Sequence, residues 1–260
     1  MKNAEQTGGL IKSVDKAMQL IELILRKHRP MSLQELSTCL GYPKSTIHAI
    51  LATLREHSVI EQRPDGKYYL GIRLFECGCA VSAEWNISQI VHPHLVKLAE
   101  QTGASAFVSM LDGNASIVFD RHVPSSGSSL QILQEPGSRH PLHATAQGKL
   151  LLSALEEADT ASRLAACGKP SSTRHTITDP DAFLKELALI RTRGYAIEDG
   201  EYKVGLRSIA APVYDRDGKI KYALGVVGLF NHISSEEFQY AIQQTTFQAR
   251  QISLAIGYRE

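Results

Sequence analysis

The sequence lacks several things, and each absence narrows what the chain can be. It has no run of 18 apolar residues, so no membrane-spanning helix is expected. Its four cysteines, Cys39, Cys77, Cys79 and Cys167, form no Cys-x-x-Cys pair, which points to reduced thiols in a cytoplasmic setting. The opening segment, MKNAEQTGGLIKS, lacks the apolar core of a signal peptide; residues 1–11 are expected to be a frayed tail. There is no Walker A loop, no Gly-x-Gly-x-x-Gly and no Gly-x-Ser-x-Gly elbow, and SSGSS at 125–129 reads as a loop. With those motifs missing, the expectation is a protein that is not an enzyme and has no cofactor. Excess charge is also missing, because the net value is only +1.

What is present divides the chain in two. Residues 1–75 carry 11 Lys/Arg and 7 Asp/Glu, a net of +4, while residues 76–260 carry 17 and 20, a net of −3. A small basic module joined to a larger, mildly acidic domain fits that asymmetry. The hydrophobic share of 43% and charged share of 21% are those of a soluble globular protein.

The first module is helical. Ser13 can cap a helix carrying Val14, Ala17, Met18, Ile21, Ile24 and Leu25 at helical spacing, ending near His28 before Pro30. Ser32-Leu-Gln-Glu35 is a capping box ahead of a short second helix through Leu33, Leu36 and Leu40. Gly41 stops it, and a third helix runs from about Pro43 to His57. Two short strand-like runs around Pro64-Asp65-Gly66 follow. Three helices and a hairpin make a winged helix-turn-helix, over residues 12–71.

At about 100° per residue, Ile47, Ile50, Leu51 and Leu54 share one side of the third helix. Ser45, Ala49, Ala52 and Glu56 lie opposite, with His48 on the flank. The outward N-terminal face is small and polar, as a close approach to DNA requires. Lys44, Ser45, Thr46 and the helix-start N–H groups suit phosphate, and Ser45 and His48 are the candidates for base edges. Arg63 and Lys67 at the wing are placed to reach a neighbouring backbone or minor groove. Gln34 on the second helix, with Ala49 and Arg55 on the third, completes the candidate DNA-binding set.

A connector helix is expected over residues 72–86, with Trp85, the sole tryptophan, at its end as a reporter of change. A second domain, 87–260, is read as α+β with a mostly antiparallel sheet. Its strands are placed at ASAFVSML, ASIVFDRH, SLQILQ, YAIED, RSIAAPVYD and IKYALGVVGLF, and its helices at 87–101, 144–155, 180–193 and 234–256.

The segment SVDKAMQLIELILRKHRPMSLQELSTCLGYPKSTIHAILATLREHSVIEQRPDGKYYLG resembles the DNA-binding domain of the IclR family of bacterial transcription regulators. PLHATAQGKLLLSAL and RTRGYAIEDGEYKVGLRSIAAPVYDRDGKIKYALGVVG continue the likeness, so it spans about Lys12 to Tyr258. The resemblance implies a winged-helix domain, a linker helix and a GAF-like effector-binding domain. It also implies a homodimer or tetramer acting on operator DNA, more often repressing than activating. A dimer of winged helices implies a roughly palindromic operator. One departure is Ala49, where many members carry arginine, so no known operator sequence transfers.

The resemblance further places a small organic acid in the second domain, with Ile132, Ala146, Gln147, Gly148, Glu198, Leu206, Ser208, Gly225 and Val227 around it. Members that bind very small oxo-acids carry hydroxyl groups on the last strand. Gly225 and Val227 stand there in this chain, from which a larger or more apolar acid is expected, aromatic or branched. Asp199 is read as solvated, and Arg207 as facing away from Ser208. Two alternatives remain: a metal sensor using His140 and His143, and a constitutive repressor whose second domain only oligomerises. The pairs Cys77/Cys79 and His92/His94 are poor chelates, because i and i+2 point apart on a helix.

Overall fold

The computed structural model describes residues 10–84, 87–125, 134–167 and 170–259. The chain forms two compact units, Met1–Trp85 and Asn86–Glu260. Three expectations, the strand at SLQILQ, the pocket residue Ile132 and the reporter Trp85, lie outside the described residues, apart from Gln134, which is in no strand.

In the first unit, α1 (Lys12–Lys27) starts one residue earlier than expected. Its N-cap is Ile11, with no side-chain cap, and Ser13 sits inside the first turn. Helix α2 (Leu33–Leu40) is held by the full capping box. The Ser32 N–H, then the Arg29 guanidinium, bind the Glu35 carboxylate and lower its pKa to about 2. Gly41 then takes a left-handed φ of 71°, which an unbranched backbone adopts at no steric cost. Helix α3 (Lys44–Glu56) follows, then strands β1 (Ile60–Gln62) and β2 (Tyr68–Leu70), paired antiparallel as a wing. Met31 pairs with Tyr68 through two backbone hydrogen bonds, which ties the entry of α2 to the wing.

The core of this unit gathers Leu20, Ile24, Met31, Leu36, Ile47, Leu51, Ile60 and Tyr68. The apolar stripe of α1 is wider than this core uses. Leu20, Leu23 and Ile24 are buried, but Val14, Met18 and Leu25 are about half exposed. With Ile21, Ile50, Leu54, Val59 and Leu74, Val14 and Met18 line an open apolar groove. Leu74 belongs to α4 (Ile72–Glu84).

The second unit begins with α5 (Ile87–Thr102) and the hairpin β3 (Ser105–Asp112) and β4 (Ala115–His122), turning at Gly113. Strand β5 (Arg139–Pro141), helix α6 (Ala146–Ser153) and helix α7 (Glu157–Cys167) come next. Helix α8 (Pro180–Arg193) leads into β6 (Ala196–Asp199), β7 (Arg207–Tyr214), β8 (Ile220–Gly228) and the long α9 (Glu236–Ala255). The sheet order is β5-β4-β3-β8-β7-β6, with every pairing antiparallel.

Alternation along the strands builds two cores, because successive side chains point to opposite faces. Ala106, Val108, Ile209, Ala211, Leu224 and Val226 pack against α5 and α9. Ala196, Ala210 and Ala223 pack against α6 and α8. Phe107, Val118 and Val227 form a small cluster of their own, with Leu206 against it.

Candidate DNA-reading helix and effector pocket

Helix α3 is fixed from below by Ile47 and Leu51, both essentially inaccessible, with Ile50 and Leu54 half-buried beside them. That anchoring leaves Lys44, Ser45, His48, Ala49 and Arg55 exposed and Thr46 half-buried. The N-cap is Pro43, which supplies no side-chain acceptor, so the N–H groups of the first turn face outward unclaimed by a cap. Among the described residues, Lys44 and Arg55 have no ion-pair partner. The wing differs: Lys67 lies 3.3 Å from Asp65, and the Arg63 guanidinium stacks over the Tyr69 ring at 5.2 Å. The wing therefore presents a stacked, oriented arginine and a lysine whose charge is partly offset. Gln34 is exposed on α2, its amide turned toward Thr38.

Strand register assembles the second site. Glu198 pairs with Ser208, and Ser208 with Val227. The next rung on the same face joins Ala210, Gly225 and Phe107. Helix α6 crosses above these rungs. Its cap, Thr145, accepts from the Gly148 N–H and donates to the Pro141 carbonyl. Between α6, β5 and the 199–206 loop lies a small cavity of about 30 Å³. All its lining side chains are polar except Leu206 and Val227.

The pocket is unusually rich in uncommitted polar atoms. Gln147 is 2% exposed, and its Nε2 has no partner. His140 Nδ1 and Gln134 Oε1 are likewise without partners. Buried polar groups in native proteins are nearly always hydrogen-bonded, so orphans sharing one pocket call for a ligand or water. Glu198 accepts from the Ser208 hydroxyl at 2.8 Å and from the Tyr202 N–H at 3.1 Å. Burial nevertheless outweighs those bonds and pushes its pKa up to about 7. Burial, and then the nearby Lys203 ammonium, lower the pKa of His140. Behind the pocket, the buried Lys149 ammonium contacts Glu201 at 2.5 Å and Glu186 at 3.5 Å, which pins the 199–206 loop to α6.

Of the residues expected around the acid, Gln147, Glu198, Leu206, Ser208 and Val227 do line this pocket. Ala146 does not, because it packs into the core under α6. Gly148 has a structural reason to be glycine: a Cβ there would fall 2.4 Å from the Leu142 carbonyl oxygen. Gly225 offers no extra room, because a Cβ there would meet the Gln147 amide nitrogen at 2.2 Å. The space left by glycine on β8 is filled by glutamine from α6. With that space filled, Gly225 gives no extra room for a larger acid.

Sequence reasoning did not assign Gln134, Thr145, Tyr202 or Lys203 to the pocket, and it weighed His140 only as a metal ligand. No motif marks these residues; the curl of the sheet and the loop brings them in. The metal alternative finds little here. His143 is fully buried and bonds the Pro170 carbonyl through Nε2, whereas His140 faces Ser138 and Tyr202. Among the described residues, no group of three or more His, Cys, Asp or Glu could hold a metal ion. His92 and His94 diverge as expected, to Asp120 and to Gln248. Asp199 pairs with Arg207 at 2.7 Å, on the face away from Ser208.

A winged helix-turn-helix with an exposed third helix, joined to an α+β domain whose small cavity holds unpartnered polar groups, defines a class: DNA-binding transcription regulators with a second, non-DNA-binding domain. Comparison with known proteins makes this specific. Residues 13–64 match the IclR helix-turn-helix domain, and residues 79–254 match the bacterial transcriptional regulator IclR C-terminal domain. The chain belongs to the IclR family of bacterial transcription regulators. It is 31% identical over 251 residues to the HTH-type transcriptional regulator XynR of Escherichia coli, covering 96% of this chain and 98% of that protein. The acetate operon repressor of Salmonella typhimurium is 29% identical, with 96% and 91% covered. An IclR homologue from Microbacterium hydrocarbonoxydans, solved with 4-hydroxybenzoate, shares the fold at a TM-score of 0.79 and 21% identity, covering 94% of this chain and 99% of that one. Among the described residues, no helix is long and apolar enough to cross a membrane.

Proposed function

We propose that this chain is a repressor that reads a roughly palindromic operator as a homodimer or tetramer and changes its grip when a small organic acid enters the pocket between α6 and the sheet. The observation that carries the reading is the cluster of orphaned polar atoms around Gln147. An empty structural domain would gain stability by burying apolar groups there instead. On the DNA side, α3 supports docking by its N-terminal half, with Ser45 and His48 toward base edges and Lys44, Thr46 and the first-turn N–H groups toward phosphate. Gln34, Arg55, Arg63 and Lys67 contribute flanking backbone contacts. Self-association is supported by the open apolar groove lined by α1, α3 and Leu74 of α4, in which Val14 and Met18 are half exposed, and by the exposed Phe75 on α4. A ligand can alter DNA binding only by preferring one arrangement of the assembly, and the α4 linker is the proposed lever.

The test is a gel shift on DNA flanking the protein's own gene, repeated across a salt series, with sedimentation to fix the assembly. A protected, two-fold-symmetric footprint that an acid weakens supports the reading. Binding with no sequence preference, or operator binding that no small acid alters, counts against it.

A further inference from the structure

A chain of side-chain contacts runs along the wing from Arg63, beside its turn, to the start of α4. We propose that Glu61 is a positioning residue for DNA recognition: from an anchor on the first turn of α4 it holds Tyr69, and through Tyr69 it sets the pose of the Arg63 guanidinium. This rests on the reading above, that Arg63 at the wing contacts the DNA backbone.

Strands β1 and β2 turn Ile60, Tyr68 and Leu70 toward the core of the first unit. Alternation then puts Glu61, Tyr69 and Arg63 together on the opposite face. Glu61 and Tyr69 are direct cross-strand partners. The Tyr69 hydroxyl donates to Glu61 Oε2 at 2.7 Å, and the Ile72 N–H donates to Glu61 Oε1 at 3.2 Å. Both bonds, the hydroxyl first and the amide second, lower the pKa of Glu61 and keep it ionised. The hydroxyl bond also fixes the phenol ring over which the Arg63 guanidinium stacks at 5.2 Å. A phenol that donates to a carboxylate has a more electron-rich ring, which strengthens its hold on a cation. Among the described residues the Arg63 guanidinium has no ion-pair partner, so this ring is the contact that restricts it.

The anchor is firm. A helix start exposes N–H groups that have no partner inside the helix. At α4 the Ile72 N–H goes to Glu61 and the Arg73 N–H to the Ser58 carbonyl at 3.1 Å, while the Gly71 N–H just ahead bonds the Val59 carbonyl at 2.8 Å. Position 71 has room only for glycine, since a Cβ there would fall 2.2 Å from the Ser58 carbonyl oxygen. Ser58, just past α3, takes a left-handed φ of 56° at this junction. The end of α3, the wing and the start of α4 therefore meet in one place, and Glu61 is the side chain that ties the wing to α4. Charge alone gives Glu61 the opposite role. An anion beside a phosphate-binding surface opposes DNA binding, so its removal would tighten binding. Positioning of Arg63 makes its removal weaken binding instead.

The experiment measures fluorescence anisotropy of the full chain on the footprinted operator duplex and on a random-sequence duplex of the same length, across a salt series. Arg63→Ala is expected to weaken binding to both duplexes and to flatten the salt slope by about one ion. Glu61→Ala should weaken binding roughly three- to tenfold and flatten the slope in the same direction. Glu61→Gln, whose amide oxygen can still accept, should recover part of that loss. Tyr69→Phe keeps the ring and drops the hydroxyl; it should show the same change at smaller size, and it carries the test if Glu61→Ala does not fold. In the Arg63→Ala background, Glu61→Ala should change affinity by less than about twofold, because two residues acting through one contact are not additive. Glu61→Ala and Tyr69→Phe proteins that bind as well as the wild type, or tighter, overturn the proposal. Losses that add in full to that of Arg63→Ala also overturn it, and leave the wing contact standing. Wild-type affinity and slope in Arg63→Ala overturn it together with the wing contact itself.

Discussion

Replacing Glu198 with glutamine tests how the pocket trades stability for function. Glu198 is buried, and its pKa rises from the ordinary 4.5 to about 7 because desolvation disfavours its charged form. Between those values the folded protein holds a proton that the unfolded chain has lost. Stability must therefore fall as pH rises from about 4.5 through 7, and it stays at the lower level above that. At about 1.4 kcal/mol per unit, the full effect of this one group is about 3 kcal/mol. For a unit of this size that corresponds to a melting shift of roughly 6–12 °C. Glutamine keeps the shape and can still bond Ser208, but it does not titrate. The wild type should therefore be close to Glu198→Gln at pH 5 and fall progressively below it by pH 8. The facing groups are Glu201, Lys149, His140 and Lys203. Glu201, also raised by burial, acts with the same sign, whereas His140, whose pKa is lowered, makes stability rise with pH below about 6.5. Those groups are common to both proteins, so the difference between the two melting curves isolates Glu198. Parallel curves from pH 5 to pH 8 would refute the reasoning, and so would a wild type that gains on the variant as pH rises.

Further outcomes can be measured directly. His48→Ala should lose more affinity for operator than for random DNA, on the order of 1–3 kcal/mol of discrimination, whereas Lys44→Ala should weaken both alike and flatten the salt slope by about one ion. Equal losses in both His48→Ala titrations would make that residue a positioning contact. Leu51→Ala removes a fully buried side chain under α3 and should cost about 2–5 kcal/mol in denaturant unfolding of the first unit. Lys149→Ala leaves Glu201 buried without its partner and should cost about 3–5 kcal/mol, measured as a midpoint shift in urea. A change under 1 kcal/mol would show that water replaces the lysine.

The first unit was legible because its signals are local. The Ser32–Glu35 box, the left-handed Gly41 and the Pro64-Asp65-Gly66 turn each act within a few residues of themselves. Parts of the second unit were not. Helix α7 escaped notice because alanines fill much of its apolar face and, among its described side chains, Leu164 is the one large apolar group that is buried. Strand β5 is three residues of Arg-His-Pro and exists only because β4 offers an edge to pair with. Ser13 was misread as a cap because a serine before an apolar run signals a helix start; here the helix is entered through Leu10 and Ile11 instead.

The sequence by itself determined the element order of the first unit, the exposed face of α3 and which strand residues share a face, since helical and strand periodicity are properties of the chain. It also determined that Glu198, Ser208 and Val227 could meet, given antiparallel pairing. Only the tertiary structure decided what they meet. That Gln147 reaches down over Gly225, that Lys203 and His140 close on the same space, and that Gly148 is needed for packing rather than for a ligand depend on how α6 crosses the sheet. Side chains from 134 to 227 converge there through packing across long sequence separations, and no local rule of the chain encodes that convergence.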